Sequence, residues 1–194
     1  MRMGSASENW TIPNALTVAR ILFTPLFVVF FLDGKHLAAL SLFFLAGVTD
    51  ALDGFLARVL NQRSPLGAIL DPLADKFLLV AAYVCLAYAG WIPAWLAVAV
   101  VSRDVIILGG VALLNFWGQD MRSRIRPSLV SKATTLLQMA LILAVFLHDA
   151  AGWEGMADWA VEALVWATAV LTVVSGGHYV ARGLAMFTGG QGKD

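Results

Sequence analysis

Asp50, Asp53, Asp71 and Asp75 stand inside long apolar runs, where acids are rare. They fall in the pattern Asp50-x-x-Asp53-Gly54-x-x-Ala57-Arg58, then eight residues, then Gly67-x-x-x-Asp71-x-x-x-Asp75. An ionised carboxylate in hydrocarbon costs roughly 3 kcal/mol or more, so intramembrane acids mark an ion or substrate site. On a helix, residues three, four and seven apart share a face. Asp50, Asp53, Gly54 and Ala57 then lie on one face of one segment, and Gly67, Asp71 and Asp75 on one face of the next. A short connection makes the two segments antiparallel neighbours whose faces can meet. Four carboxylates repel one another unless a cation stands between them. Oxygen ligands of this kind suit magnesium, manganese or calcium rather than zinc or copper. So many acids can hold two ions, the arrangement used for phosphoryl transfer, and Arg58 can neutralise a phosphate oxygen. The small residues beside the acids leave room for a bulky ligand. The plainer alternative is four interfacial acids, solvated or paired with Arg58 and Lys76. Four together on two glycine-bearing faces weigh against it.

Elements that place such a motif must be membrane helices. The chain has 194 residues, of which 60% are hydrophobic and only 13% charged, with mean hydropathy +0.79. A soluble domain averages about 25% charged residues. Net charge is zero, so no overall field recruits nucleic acid. Cys85 is the single cysteine, which excludes an internal disulfide and a cysteine-based zinc site. Spanning takes about 20 apolar residues. Six segments qualify, at 14–32, 36–59, 66–89, 92–116, 129–147 and 157–186. No small-residue cleavage signal follows the first, which is therefore expected to be retained. The expected organisation is one six-helix transmembrane catalytic domain over 1–190 and a tail over 191–194.

Basic residues orient the segments. With the N-terminus inside, Arg2, Arg58, Arg63, Arg122, Arg124, Arg126, Lys132, Arg182 and Lys193 fall on the cytoplasmic side and only Lys35 outside. The aspartates then lie near the cytoplasmic face. Trp91, Trp95, Trp153 and Trp159 gather at the opposite ends as interfacial anchors. His148, on that far side, is expected to be bystander polarity.

The aspartate pattern resembles the signature of the CDP-alcohol phosphatidyltransferase family, with all eight fixed positions present over 26 residues. Asn14 and Arg20, in Ile12-Pro13-Asn14-Ala15-Leu16-Thr17-Val18-Ala19-Arg20, also look like that family's first-helix opening. The resemblance implies an all-α bundle of six transmembrane helices, a homodimer, and transfer of a phosphatidyl group from CDP-diacylglycerol to an alcohol with release of CMP. It implies two divalent ions, Mg2+ or Mn2+, at Asp50, Asp53, Asp71 and Asp75, with Asp75 also the proposed general base. It places Asn14, Asp53, Gly54, Ala57, Arg58 and Gly67 against CDP-diacylglycerol. A retained first span without a transit peptide suggests a bacterial inner membrane, with the active site facing the cytoplasm.

The acceptor is read from segments outside the motif. Leu70-Asp71-Pro72-Leu73-Ala74-Asp75-Lys76 is like the phosphatidylglycerol-phosphate and cardiolipin synthase branches. Ser102-Arg103-Asp104-Val105 and the stretch from Arg126 to Gln138 are similar to the CMP-forming, eukaryotic-type cardiolipin synthases. The phosphatidylglycerol-phosphate branch tends to have Arg-Glu in place of Arg103-Asp104, and Lys-x-Lys-Thr in place of the residues around Lys132. Phosphatidylglycerol is thus the expected acceptor, and glycerol 3-phosphate the alternative. Arg103, Arg126 and Lys132 are candidate acceptor contacts. For Arg103 and Asp104 a self-neutralising buried spot is the plainer alternative. For Arg122, Arg124 and Arg126 it is topology and attraction of anionic lipid. A function of another class, a divalent-cation carrier using the same acids, would need a route across the membrane, whereas these acids cluster toward one face.

Overall fold

The computed structural model describes the backbone of residues 12–59, 67–116, 129–151 and 158–189, and the side chains of 16–50, 74, 76–110, 130–150 and 158–181. The described residues form helices and turns: α1 (Ile12–Leu32), α2 (His36–Val59), α3 (Gly67–Tyr88), α4 (Ala94–Phe116), α5 (Leu129–Ala151) and α6 (Asp158–Gly189). All six expected segments are helices. The fifth and sixth run past their expected ends of 147 and 186. The reason is physical: falling hydropathy marks where an apolar environment ends, while backbone hydrogen bonding continues until a residue breaks it.

Residues 1–86 form one unit and 87–194 another. In the first, α1 buries Thr17, Arg20, Phe27 and Phe31, spaced three, seven and four apart along one face. It packs on the α2 face that carries Ala39, Phe43, Ala46 and Asp50. The pairings run antiparallel: Phe31 with His36 (ring centroids 5.4 Å apart), Phe27 with Phe43 (6.1 Å) and Arg20 with Asp50. Small alanines on α2 opposite large phenylalanines on α1 let the backbones approach. The turn between them is set by Gly34, at φ 72°. The Lys35 amide donates to the Phe30 carbonyl at 2.9 Å and the Gly34 amide to Phe31 at 3.0 Å. This double closure satisfies the last carbonyls of α1 and needs the left-handed backbone that glycine adopts without strain. In α3 the buried face is Ala74, Leu78, Leu79, Ala82, Tyr83, Cys85 and Leu86.

In the second unit, α6 packs on both α4 and α5. Leu96, Ala97, Val100, Arg103 and Asp104 are the buried face of α4. Thr134, Gln138, Leu141, Ile142, Val145 and Phe146 are that of α5, and Val165, Thr168, Ala169, Thr172 and Ser175 that of α6. The α5–α6 seam is polar at one end: the Gln138 amide donates to the Thr172 hydroxyl at 3.3 Å, and the Thr134 hydroxyl lies 3.3 Å from the Leu171 carbonyl. It is apolar toward the other end. Among the described residues, Val130–Ala150 and Asp158–Ala181 are the two helices long and apolar enough to cross a membrane, with mean hydropathy 1.8 and 1.6. Leu16–Leu32, His36–Asp50 and Lys76–Tyr88 are shorter apolar stretches.

Candidate active site

Asp50 opens the acid pattern and sits where the packed face of α2 passes opposite Arg20. One guanidinium nitrogen of Arg20 lies 2.6 Å from Asp50 Oδ1. The Arg20 side chain is fully buried, while that of Asp50 is 41% exposed. The arginine is thus sealed between helices and the carboxylate is held at its edge. The expected plain partners of the acids were Arg58 and Lys76. The partner found for Asp50 is on a different helix, 30 residues earlier in the chain. The signal available in the sequence was an arginine on the same face as Thr17, Phe27 and Phe31, because a charge on a packing face requires a countercharge opposite.

Positions 53, 54, 57 and 58 continue α2, and positions 67, 71 and 75 lie on the first turns of α3. The side chains of Asp53, Gly54, Ala57, Arg58, Gly67, Asp71 and Asp75 lie outside the described residues, as does that of Asn14 on α1. Among the described side chains, no three histidines, cysteines or acids come close enough to hold a metal. The donor that is described fits a hard divalent ion in kind: an oxygen ligand, partly exposed, restrained by a cation on one oxygen.

The second unit contains another charged cluster. Arg103 and Asp104 are 4% and 2% exposed. One terminal nitrogen of Arg103 donates to Asp104 Oδ1 at 2.7 Å. The other donates to Ser131 of α5 at 2.7 Å and to Ser175 of α6 at 2.8 Å. The arginine stem passes over Gly176, where a Cβ would sit 3.6 Å from Arg103 Cγ. One cation therefore ties α4, α5 and α6 together. Neither serine was singled out in the sequence, since serine is common on such helices and its partner lies on another segment. Lys132, next to Ser131, is exposed. Arg126 lies outside the described residues.

At the other end of α5 and α6 stands His148, expected to be bystander polarity. Its Nε2 lies 2.7 Å from Asp158 Oδ1, joining the end of α5 to the start of α6. This pair edges a cavity of about 650 Å³ walled by Trp91, Trp95, Trp166 and Glu162. The cavity holds no residue of the acid pattern.

The described residues are helical, with the acid pattern running along α2 and α3, and that combination defines a class. The chain belongs to the CDP-alcohol phosphatidyltransferase family, whose model matches residues 10–174. Membership and the two long apolar helices point to a membrane protein. Among individual relatives, the chain is 39% identical to a CMP-forming cardiolipin synthase of Homo sapiens over 155 residues, covering 72% of this chain and 52% of that protein. It therefore spans about half the length of that relative. It is 35% identical to a CMP-forming cardiolipin synthase of Streptomyces coelicolor over 152 residues, covering 74% and 68%. It is 34% identical to a CDP-diacylglycerol–glycerol-3-phosphate 3-phosphatidyltransferase of Cereibacter sphaeroides over 218 residues, covering 91% and 96%.

Proposed function

We propose that the chain transfers a phosphatidyl group from CDP-diacylglycerol to phosphatidylglycerol, giving cardiolipin and CMP. The observation that carries this reading is the complete acid pattern on α2 and α3 in a chain of this family. The six helices would all span a bacterial inner membrane with the acid ends toward the cytoplasm, and the working form would be a homodimer. Asp50, Asp53, Asp71 and Asp75 would hold two Mg2+ or Mn2+ ions, which when bound supply charge neutralisation for the pyrophosphate and its leaving group. Asn14, Asp53, Gly54, Ala57, Arg58 and Gly67 would seat the nucleotide and diphosphate, Arg58 facing a phosphate oxygen.

In the reaction, an acceptor hydroxyl oxygen attacks the phosphorus that carries the diacylglycerol. The bond from that phosphorus to the CMP oxygen breaks, and the hydroxyl proton passes to Asp75. A carboxylate among ions is a weak base, so orientation of the two lipids contributes more than proton abstraction. Lys132, exposed beside Ser131, would contact the acceptor phosphate, and Arg126 would be a second contact. Arg103, held by Asp104 and two serines, would shape this wall from behind.

A second reading takes glycerol 3-phosphate as acceptor. What favours it is length: the alignment with the Cereibacter sphaeroides protein runs over 96% of that relative. Identity favours the cardiolipin reading, at 39% against 34%. The test is an acceptor panel. Purified full-length protein receives CDP-diacylglycerol with Mn2+ and either phosphatidylglycerol or glycerol 3-phosphate, and the lipid product is identified by mass. Cardiolipin formed from phosphatidylglycerol supports the proposal. Product from glycerol 3-phosphate alone overturns it in favour of the second reading.

A further inference from the structure

We infer that Arg20 is a positioning residue of the divalent-ion site, acting through Asp50. This rests on the metal reading proposed for the acids. Arg20 is fully buried on α1 and its guanidinium reaches Asp50 Oδ1 at 2.6 Å. A buried arginine is an expensive way to join two apolar helices. The neighbouring contacts of the same seam, Phe27 on Phe43 and Phe31 on His36, do that by packing. Sealing a guanidinium away from water costs free energy even when one partner carboxylate stands at its edge, so the arginine calls for a reason beyond stability.

Geometry supplies the reason. The contact takes one carboxylate oxygen, Oδ1, from the sealed side, while the carboxylate remains 41% exposed. A carboxylate held by one oxygen in this way is restrained about its side-chain torsions. Its second oxygen stands outside this contact and would serve as a single-oxygen ligand. Groups that hold a ligand from behind commonly set metal affinity, and their loss costs about 10- to 100-fold in binding. The planar guanidinium fork fixes direction as well as charge, which an ammonium does not. Arg20 also places a positive charge beside the first of four acids that must otherwise tolerate one another before ions arrive. Loss of charge alone and loss of positioning therefore have opposite signatures. Removing a cation next to a metal site should tighten binding of a divalent ion. Releasing Asp50 should weaken it.

The experiment measures uptake of Mn2+ by the purified full chain in detergent, without lipid substrate, from the paramagnetic resonance signal of free Mn2+. Wild type, Arg20→Met, Arg20→Lys and Asp53→Asn are compared, each after its fold is checked by circular dichroism. The inference expects Arg20→Met to raise the half-saturating Mn2+ concentration about tenfold or more, with partial recovery in Arg20→Lys. Unchanged or tighter Mn2+ binding in Arg20→Met overturns it. Should that variant not fold, unchanged binding in Arg20→Lys overturns it, and a threefold or larger weakening there supports it. Wild-type protein that takes up no more Mn2+ than Asp53→Asn defeats the metal reading itself, a result distinct from wild-type uptake that Arg20 does not affect.

Discussion

Arg103 and Ser175 are 72 residues apart in the chain and 2.8 Å apart in space, donor to acceptor. With Ser131 and Asp104 on the same guanidinium, this contact makes one side chain the common partner of three helices. Removing either charge strands the other in an apolar interior. Arg103→Met and Asp104→Asn should each destabilise the folded protein by about 3–5 kcal/mol. The double variant Arg103→Met with Asp104→Leu should lose less than the sum, because neither charge then remains buried alone. Ser175→Ala should cost about 1 kcal/mol, the usual size for one interhelical hydrogen bond in lipid. Denaturant titration in mixed micelles reads all four.

Gly34 has φ 72° and nothing within 4 Å of where a Cβ would stand. The penalty for Gly34→Ala is therefore conformational and not steric contact with neighbours. It should be about 1 kcal/mol of stability, the ordinary cost of a left-handed backbone for an L residue. Activity of the folded fraction should be unchanged. A thermal melt beside an activity assay checks both halves.

Lys132 is exposed at the start of α5 while its neighbour Ser131 is tied to Arg103. Lys132→Ala should leave stability within about 0.5 kcal/mol of wild type, as for other exposed substitutions. It should raise KM for the acceptor with little change in kcat, the mark of lost ground-state binding. Lys132→Arg should recover most of the loss. Steady-state kinetics with acceptor varied at saturating CDP-diacylglycerol makes the measurement.

Among the described residues, the helices and their order were legible because apolar runs end at breakers that physics recognises, as at Gly34 at the α1 end and Gly90, at φ 75°, between α3 and α4. Helix ends were less legible: α5 continues through His148 and Asp149 although both are polar, since polarity does not stop a helix. The acid pattern is local to two segments and so can be read from spacing alone, and of its side chains the described residues place that of Asp50. The partners of charged groups were not. Arg20 meets Asp50 only because α1 and α2 fold back in one particular register, and Arg103 meets Ser131 and Ser175 only because α4 and α5 both pack with α6 in theirs. Such pairs depend on interhelical register, and hydropathy carries no information about register. The same limit applies to His148 and Asp158, which stand ten residues apart in the chain, near the end of α5 and at the start of α6.

The central claim is that acids on α2 and α3, loaded with divalent ions, release CMP from CDP-diacylglycerol. The direct measurement is CMP produced by purified full-length protein given CDP-diacylglycerol and phosphatidylglycerol, before and after chelation, in wild type, Asp71→Asn and Asp75→Asn. The account predicts that chelation abolishes release and that added Mg2+ or Mn2+ restores it in wild type. It also predicts that both variants, folded as judged by circular dichroism, fall by about 100-fold or more. Undiminished CMP release from folded Asp71→Asn, or from wild type stripped of divalent ions, would contradict it.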